Sequence, residues 1–245
     1  MIERQVKIAT AAGAMNTFIS HPERGGPHPV VLFYMDAPGI REELRDMARR
    51  IAAVGYYVML PNMYHRGGVE DLGPIDPDPE SPMRQRMTAL MRSLDIPLVM
   101  DDTDTLLAFA DADPAADSER IGTVGYCMSG QYALGAAARY PNRVKAAASL
   151  YGTWLVTDKP DSPHLTVRDA RAEIYIAFAE TDQYVPLDWI APLNQSLSTA
   201  GLRHEVELYK AADHGFAFPQ RRTYDRAASE RHWERLFALF GRNLA

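Results

Sequence analysis

An α/β fold, with a mostly parallel sheet covered by helices on both faces, is what this chain of 245 residues predicts. Three observations carry that expectation. Short apolar runs rich in β-branched residues alternate with stretches of helical periodicity along the whole chain. Several of the runs are apolar at every position, as strands covered on both faces are. One of them passes through a tight turn of small residues straight into a helix. The length suits a single domain over 1–245, because a chain of this size buries about three-quarters of its unfolded surface and α/β folds use roughly 200–250 residues as one unit.

The elements follow in order. Residues 2–9 and 14–20 read as two short strands around Gly13, and a polar turn then leads into the buried-strand run Val30-Val31-Leu32-Phe33-Tyr34. Residues 41–54 place Leu44, Met47, Ile51 and Val54 at helical spacing, with Gly55 as the stop. A strand at 56–60 ends at Pro61. Residues 61–82 hold Pro61, Pro74, Pro77, Pro79 and Pro82 and predict a loop lying over a site. Helices at 84–92 and 97–112 lead to a strand at 121–125. The remainder repeats the alternation: helix 128–139, strands 144–150 and 173–178, helix 188–200, strand 204–209 and a terminal helix near 224–240.

Composition removes several classes of function. The chain is 47% hydrophobic, with 26 basic and 32 acidic side chains for a formal charge of −6. No basic stripe or polybasic arm is present, so nucleic acid is not an expected partner. Glu3, Arg4 and Lys7 interrupt the region where a signal peptide needs an apolar core, and no window approaches the roughly 20 apolar residues of a membrane span. A cytoplasmic protein with no membrane partner is expected. Cys127 is the one cysteine, which excludes an internal disulfide and a zinc site built from several thiolates.

The segment around Cys127 carries the most chemical information. A β-branched strand enters Gly125, Tyr126 intervenes, Cys127 follows, and Ser129 and Gly130 open an alanine-rich helix. This is the strand–turn–helix setting of a nucleophile elbow, G-x-S-x-G, with cysteine at its centre. The small residues let strand and helix approach so closely that the central side chain is pushed into the open, and the helix N-terminus favours negative charge there. A lone cysteine is ordinarily a small buried hydrophobe; the flanking glycines favour the nucleophile. Ser129 is no rival, because it lies past the turn centre.

An unperturbed thiol is only a few per cent thiolate at neutral pH, so a nucleophilic cysteine calls for a base. Asp182 lies in the loop after the strand Ile174-Tyr175-Ile176-Ala177-Phe178, and His214 lies in the loop after Val206-Glu207-Leu208-Tyr209. Nucleophile, acid and histidine in that chain order fit the elbow. His21, His28, His65, His164, His204 and His232 sit in turns, loops, a strand start or a helix and read as solvated or structural. Glu180 is the alternative acid, nearer the strand end, and Asp213 reads as a loop carboxylate.

These residues resemble the dienelactone hydrolase family of α/β-hydrolases. The match rests on Gly125-Tyr126-Cys127-Met128, the loop around Asp182 and Asp213-His214-Gly215-Phe216, in order across most of the chain. The resemblance implies an α/β-hydrolase fold, a triad of Cys127, Asp182 and His214, thiolate attack on a lactone or ester carbonyl, and an acyl-enzyme opened by water. It further implies that Asp36, where the family has a glutamate, helps to activate the cysteine, and that the N–H groups of Ala37 and Met128 form an oxyanion hole. Ser129 stands at the second elbow glycine. By the same resemblance Arg84, Arg86, Arg221 and Arg222 are candidates for binding a substrate carboxylate.

Asp101-Asp102-Thr103-Asp104 has the charge for magnesium, but no phosphate-binding glycine loop accompanies it; it reads as a solvated helix start. No metal and no organic cofactor are expected. Three functions remain open: a hydrolase of small lactones or esters, a broader carboxylesterase or thioesterase, and an idle binding protein on the same fold.

Overall fold

The computed structural model describes residues 1–245. β1 (Ile2–Thr10) and β2 (Gly13–His21) form an antiparallel hairpin closed at the Thr10–Gly13 pair. β3 (His28–Tyr34), α1 (Glu42–Ala52), β4 (Tyr57–Pro61), α2 (Pro82–Arg92), α3 (Ile96–Asp111), β5 (Ala116–Tyr126), α4 (Gly130–Arg139) and β6 (Val144–Leu150) follow. The chain ends with α5 (Pro163–Thr166), β7 (Glu173–Ala179), α6 (Ile190–Thr199), β8 (His204–Tyr209) and α7 (Arg226–Leu244).

All eight strands make one sheet in the order β1-β2-β4-β3-β5-β6-β7-β8. The pairs from β4 to β8 are parallel, and β2 meets β4 antiparallel. β5 shows how the central strands are covered on both faces. Neighbouring residues of a strand point to opposite faces. A Cβ on Gly122 would strike Phe240 and Leu244 of α7, while the Thr123 hydroxyl donates to the Ala133 carbonyl of α4 at 2.9 Å. Both faces are therefore covered. Arg50 of α1 stacks over Trp233 of α7 at 4.5 Å, which sets those two helices side by side.

The order β4-β3-β5 makes β3 a switch point: the chain leaves it to one side for β4 and returns to its other side for β5. In parallel sheets a crevice opens there, beyond the carboxyl ends of the strands. The ends of β3 and β5 carry Asp36 and Cys127.

The structure departs from the expected boundaries in several places. β5 starts at Ala116, not 121, because the polar segment before Ile121 pairs with His28 and Pro29 at the sheet's end, with a register shift between Pro29 and Val30. Alternating polar residues at a solvated strand end carry no hydrophobic signal. α2 begins at Pro82, where Ser81 caps it by accepting from the Arg84 N–H at 3.3 Å. The four-residue α5 is too short to show a period.

The Pro-rich loop is held against the segment after β3. Ile40 N–H donates to the Glu70 carbonyl at 2.7 Å and Leu72 N–H to the Pro38 carbonyl at 2.9 Å. Gly39, at φ 90°, must be glycine here, since a Cβ would lie 2.2 Å from the Glu70 carbonyl oxygen.

Candidate active site

Cys127 follows β5 directly with φ 56°, a left-handed conformation that costs a non-glycine residue on the order of 1–3 kcal/mol. The surroundings enforce it. A Cβ on Gly125 would lie 2.0 Å from the Ser129 carbonyl oxygen, and one on Gly130 would lie 2.6 Å from Gly152 Cα. Ser129 is buried and its hydroxyl donates to the Met35 carbonyl, so serine fits the second elbow position by pointing into the wall toward β3. The Cys127 carbonyl in turn accepts from Thr153 N–H at 3.0 Å, in the loop after β6.

Asp182 and His214 meet at the same edge of the sheet. His214 Nδ1 lies 2.7 Å from one Asp182 carboxylate oxygen, and the other oxygen accepts from the Tyr184 and Val185 N–H groups at 2.7 and 3.2 Å. The imidazole is thereby fixed with its proton on Nδ1. Tyr151 and Tyr184 each press an edge against the ring, both at 4.9 Å between centroids. Nε2 is buried and has no aligned hydrogen-bond partner. Cys127 is close enough to act on it, and the two groups perturb each other strongly. Burial pushes the thiol up, but the His214 charge, aided by Arg221, outweighs burial and lowers it, while Asp36 opposes. Burial pushes His214 down, and the negative sulfur with Asp182 outweighs that and raises it to about 10. Both shifts favour transfer of the thiol proton to Nε2.

The other sequence candidates for acid and base are engaged elsewhere. Glu180 pairs with Lys210 at 2.7 Å and accepts from Ala211 N–H. Asp213 accepts from the His214 backbone N–H at 2.6 Å. His65 lies 3.1 Å from Asp102, which also binds Arg66 at 2.6 Å, so the acidic run at 101–104 contributes an ion pair. His232 is wholly buried between the Tyr126 hydroxyl and the Ser229 carbonyl, and burial drives it down to about 3 and so keeps it neutral. His21 stacks on Tyr57.

Asp36 differs from its expected role. The structure does not bring its carboxylate to Cys127; Arg41 binds it at 2.6 and 3.3 Å and Arg221 takes its second oxygen. With its negative charge fixed this close, Asp36 raises the thiol instead of lowering it. Arg41 extends the chain to Glu43 at 2.7 Å, so four charges, two buried carboxylates and two half-buried guanidiniums, alternate in sign behind the cysteine.

Ala37 lies between β3 and the Gly39 turn, and no loop, turn or cap hydrogen bond uses its N–H or that of Met128. The Tyr64 hydroxyl, from the Pro-rich loop, donates to the Ala37 carbonyl at 3.0 Å and lies 3.2 Å from Met128 Sδ, bracing the two together. Arg221 reaches the site through Asp36, with Nε buried and unpartnered. Arg84 lies at the margin, donating to the Tyr184 hydroxyl at 3.3 Å. Neither Arg86 nor Arg222 makes a hydrogen bond or ion pair to any residue of the site.

Arg41, Tyr64, Tyr151 and Tyr184 were invisible to the sequence reading. Only Tyr184 had a pointer, lying two residues after Asp182. The hydroxyls of Tyr151 and Thr153 and the Nε of Arg221 are buried without partners around Cys127, giving the inner wall a set of free polar atoms.

A left-handed cysteine at the end of β5, beside a switch point and near a carboxylate-bound histidine, is an arrangement that fits an α/β-hydrolase. The dienelactone hydrolase family model matches residues 15–244, and the chain belongs to that family. It is a hydrolase of the ester and lactone class. Among its relatives, a Methylorubrum extorquens protein named "Putative carboxymethylenebutenolidase" is 29% identical over 240 residues, covering 96% of this chain and 79% of the relative. The carboxymethylenebutenolidase of Rhodococcus opacus is 27% identical over 222 residues, covering 89% of this chain and 83% of its own. A solved Klebsiella pneumoniae structure described as "Putative Dienelactone Hydrolase" superposes with a TM-score of 0.86 at 25% identity, covering 98% of each chain.

Proposed function

We propose that this hydrolase opens small lactones or carboxylic esters through an acyl-enzyme on Cys127, with His214 as acid and base and Asp182 orienting it. The observation that carries the reading is the imidazole held at Nδ1 by Asp182 at 2.7 Å, with a buried, unpartnered Nε2 beside the thiol.

Each step balances. The thiol proton moves to Nε2, and the thiolate attacks the carbonyl carbon. The carbonyl electron pair moves onto oxygen, where the N–H groups of Ala37 and Met128 receive it. When the intermediate collapses, the C–O bond breaks and the alcohol oxygen takes the proton from Nε2. Water, deprotonated by Nε2, then attacks the thioester, and the acid leaves as the thiol re-forms. Cys127 is a free thiol without a cysteine partner in its chain, which suits the reducing cytoplasm.

The test is intact-protein mass spectrometry after mixing with a panel of lactones and esters. A substrate-sized adduct on Cys127 is expected. Cys127→Ala and His214→Ala should each lose hydrolysis with the fold retained, and Asp182→Asn should cost less, about 10⁴-fold in kcat. An active Cys127→Ala protein overturns the reading.

A further inference from the structure

We propose that the loops after β6 and β7 form an apolar shelf on the leaving-group side of Cys127, and that the esters turned over best carry an extended apolar alcohol. This rests on the hydrolase reading above and names the substrate class for the same site.

Sheet order decides which side is which. β3 and β6 flank β5 on opposite sides. Ala37 and Met128 place the carbonyl oxygen toward β3. His214 and Asp182 come from the loops after β8 and β7, so the alcohol oxygen, which takes its proton from Nε2, lies toward β6 and β7. Any group attached to that oxygen runs out over the loops of those two strands.

Those loops are where the protein exposes its apolar side chains. Of six large hydrophobic residues left open to solvent, Trp154, Leu165, Tyr184 and Leu187 all belong to the segments between β6 and α6, at 39–46% exposure. The other two are Met1 and Val54, at the terminus and the end of α1. Several contacts tie the four to the site and to one another. Thr153, beside Trp154, holds the Cys127 carbonyl, and the Tyr184 ring touches His214. His164 N–H donates to the Leu155 carbonyl at 3.0 Å, which brings the helix bearing Leu165 to the neighbour of Trp154. α5 packs on α6, and Leu187 lies in the short 3₁₀ turn Leu187–Trp189 that leads into α6. Trp154 also adopts φ 57°, so the chain accepts backbone strain to place an indole at the surface. Single exposed leucines mean little, but a cluster confined to one rim of a catalytic crevice marks a binding surface. Arg84, donating to Tyr184, borders the shelf with one positive charge.

The test compares two ester series. In the first, acetates of unbranched alcohols lengthen from methyl to octyl, keeping leaving-group basicity nearly constant. In the second, methyl esters lengthen on the acyl side. The shelf predicts that kcat/KM climbs along the alcohol series, by up to about fourfold per methylene until the surface is filled, and more steeply than along the acyl series. The double variant Trp154→Ala, Leu187→Ala should flatten the alcohol slope and leave the acyl slope as it was. A flat alcohol series, or an acyl series that is the steeper, overturns the shelf even if Cys127 is acylated. Loss of acylation with an active Cys127→Ala would instead overturn the hydrolase reading. If the double variant does not fold, the wild-type comparison of the two slopes still decides.

Discussion

Replacing Asp36 with asparagine separates two roles that the carboxylate could play. In the structure it is wholly buried and neutralises Arg41 and Arg221, both largely buried themselves. Removing one member of a buried ion pair costs about 3–5 kcal/mol, because the remaining charge is left without a partner. Asparagine keeps the shape and one acceptor oxygen, so the lower end applies, about 3 kcal/mol. A chain of this size loses about 2–4 °C in Tm per kcal/mol, which places the expected fall at about 6–12 °C at neutral pH. The gap between the two proteins should narrow in acid. Burial pushes the Asp36 carboxyl up, but Arg41 and Arg221 outweigh it and hold it below its ordinary value of 3.8. Its contribution is therefore present above that value and is lost as pH falls through the lowered one. The thiol supplies an independent reading. Asp36 now opposes the thiolate, so its neutralisation should lower the Cys127 pKa, followed by ultraviolet thiolate absorbance against pH. Scanning calorimetry and that titration together check the argument. A stability change under about 1 kcal/mol, or a thiol pKa that rises, would refute it and return Asp36 to the role of an activating base.

Two further outcomes follow from the same geometry. His214 has a folded pKa near 10 against an ordinary 6.5, so its contribution is complete below 6.5 and is lost as pH rises toward 10. In Cys127→Ala the main raising influence is gone; imidazole NMR signals should titrate well below those of the wild type, and the alkaline loss of stability should shrink. Gly125→Ala places a Cβ 2.0 Å from a backbone oxygen that cannot move without opening the elbow. The variant should be destabilised by several kcal/mol and lose activity, and a folded, active Gly125→Ala measured by calorimetry and ester assay would contradict the elbow geometry.

Much of this protein was legible in its sequence, for reasons that differ between elements. The parallel strands were readable because Val30–Tyr34 is apolar at every position and Ile121–Tyr126 is interrupted only by Thr123, as strands covered on both faces are. Cys127, Asp182 and His214 were readable because each sits in a loop directly after a strand, and parallel strands bring such loops to one edge. The start of β5 and the short α5 were not readable, since neither carries a hydrophobic period.

What the sequence determined by itself is the set of local structures and the order of the candidate site residues, because turn chemistry and hydrophobic period act between residues a few positions apart. Only the tertiary structure decided what surrounds them. Arg221 reaches Asp36 across 185 positions and Tyr64 reaches Met128 across 64. Those meetings depend on the strand order β4-β3-β5-β6, which brings the loops together. The same order turned Asp36 from an expected partner of the thiol into an inner link of a chain of charges, bound on either side by Arg41 and Arg221. A carboxylate in a low-dielectric interior goes to the guanidinium groups within reach, and which of those are within reach is a property of the fold.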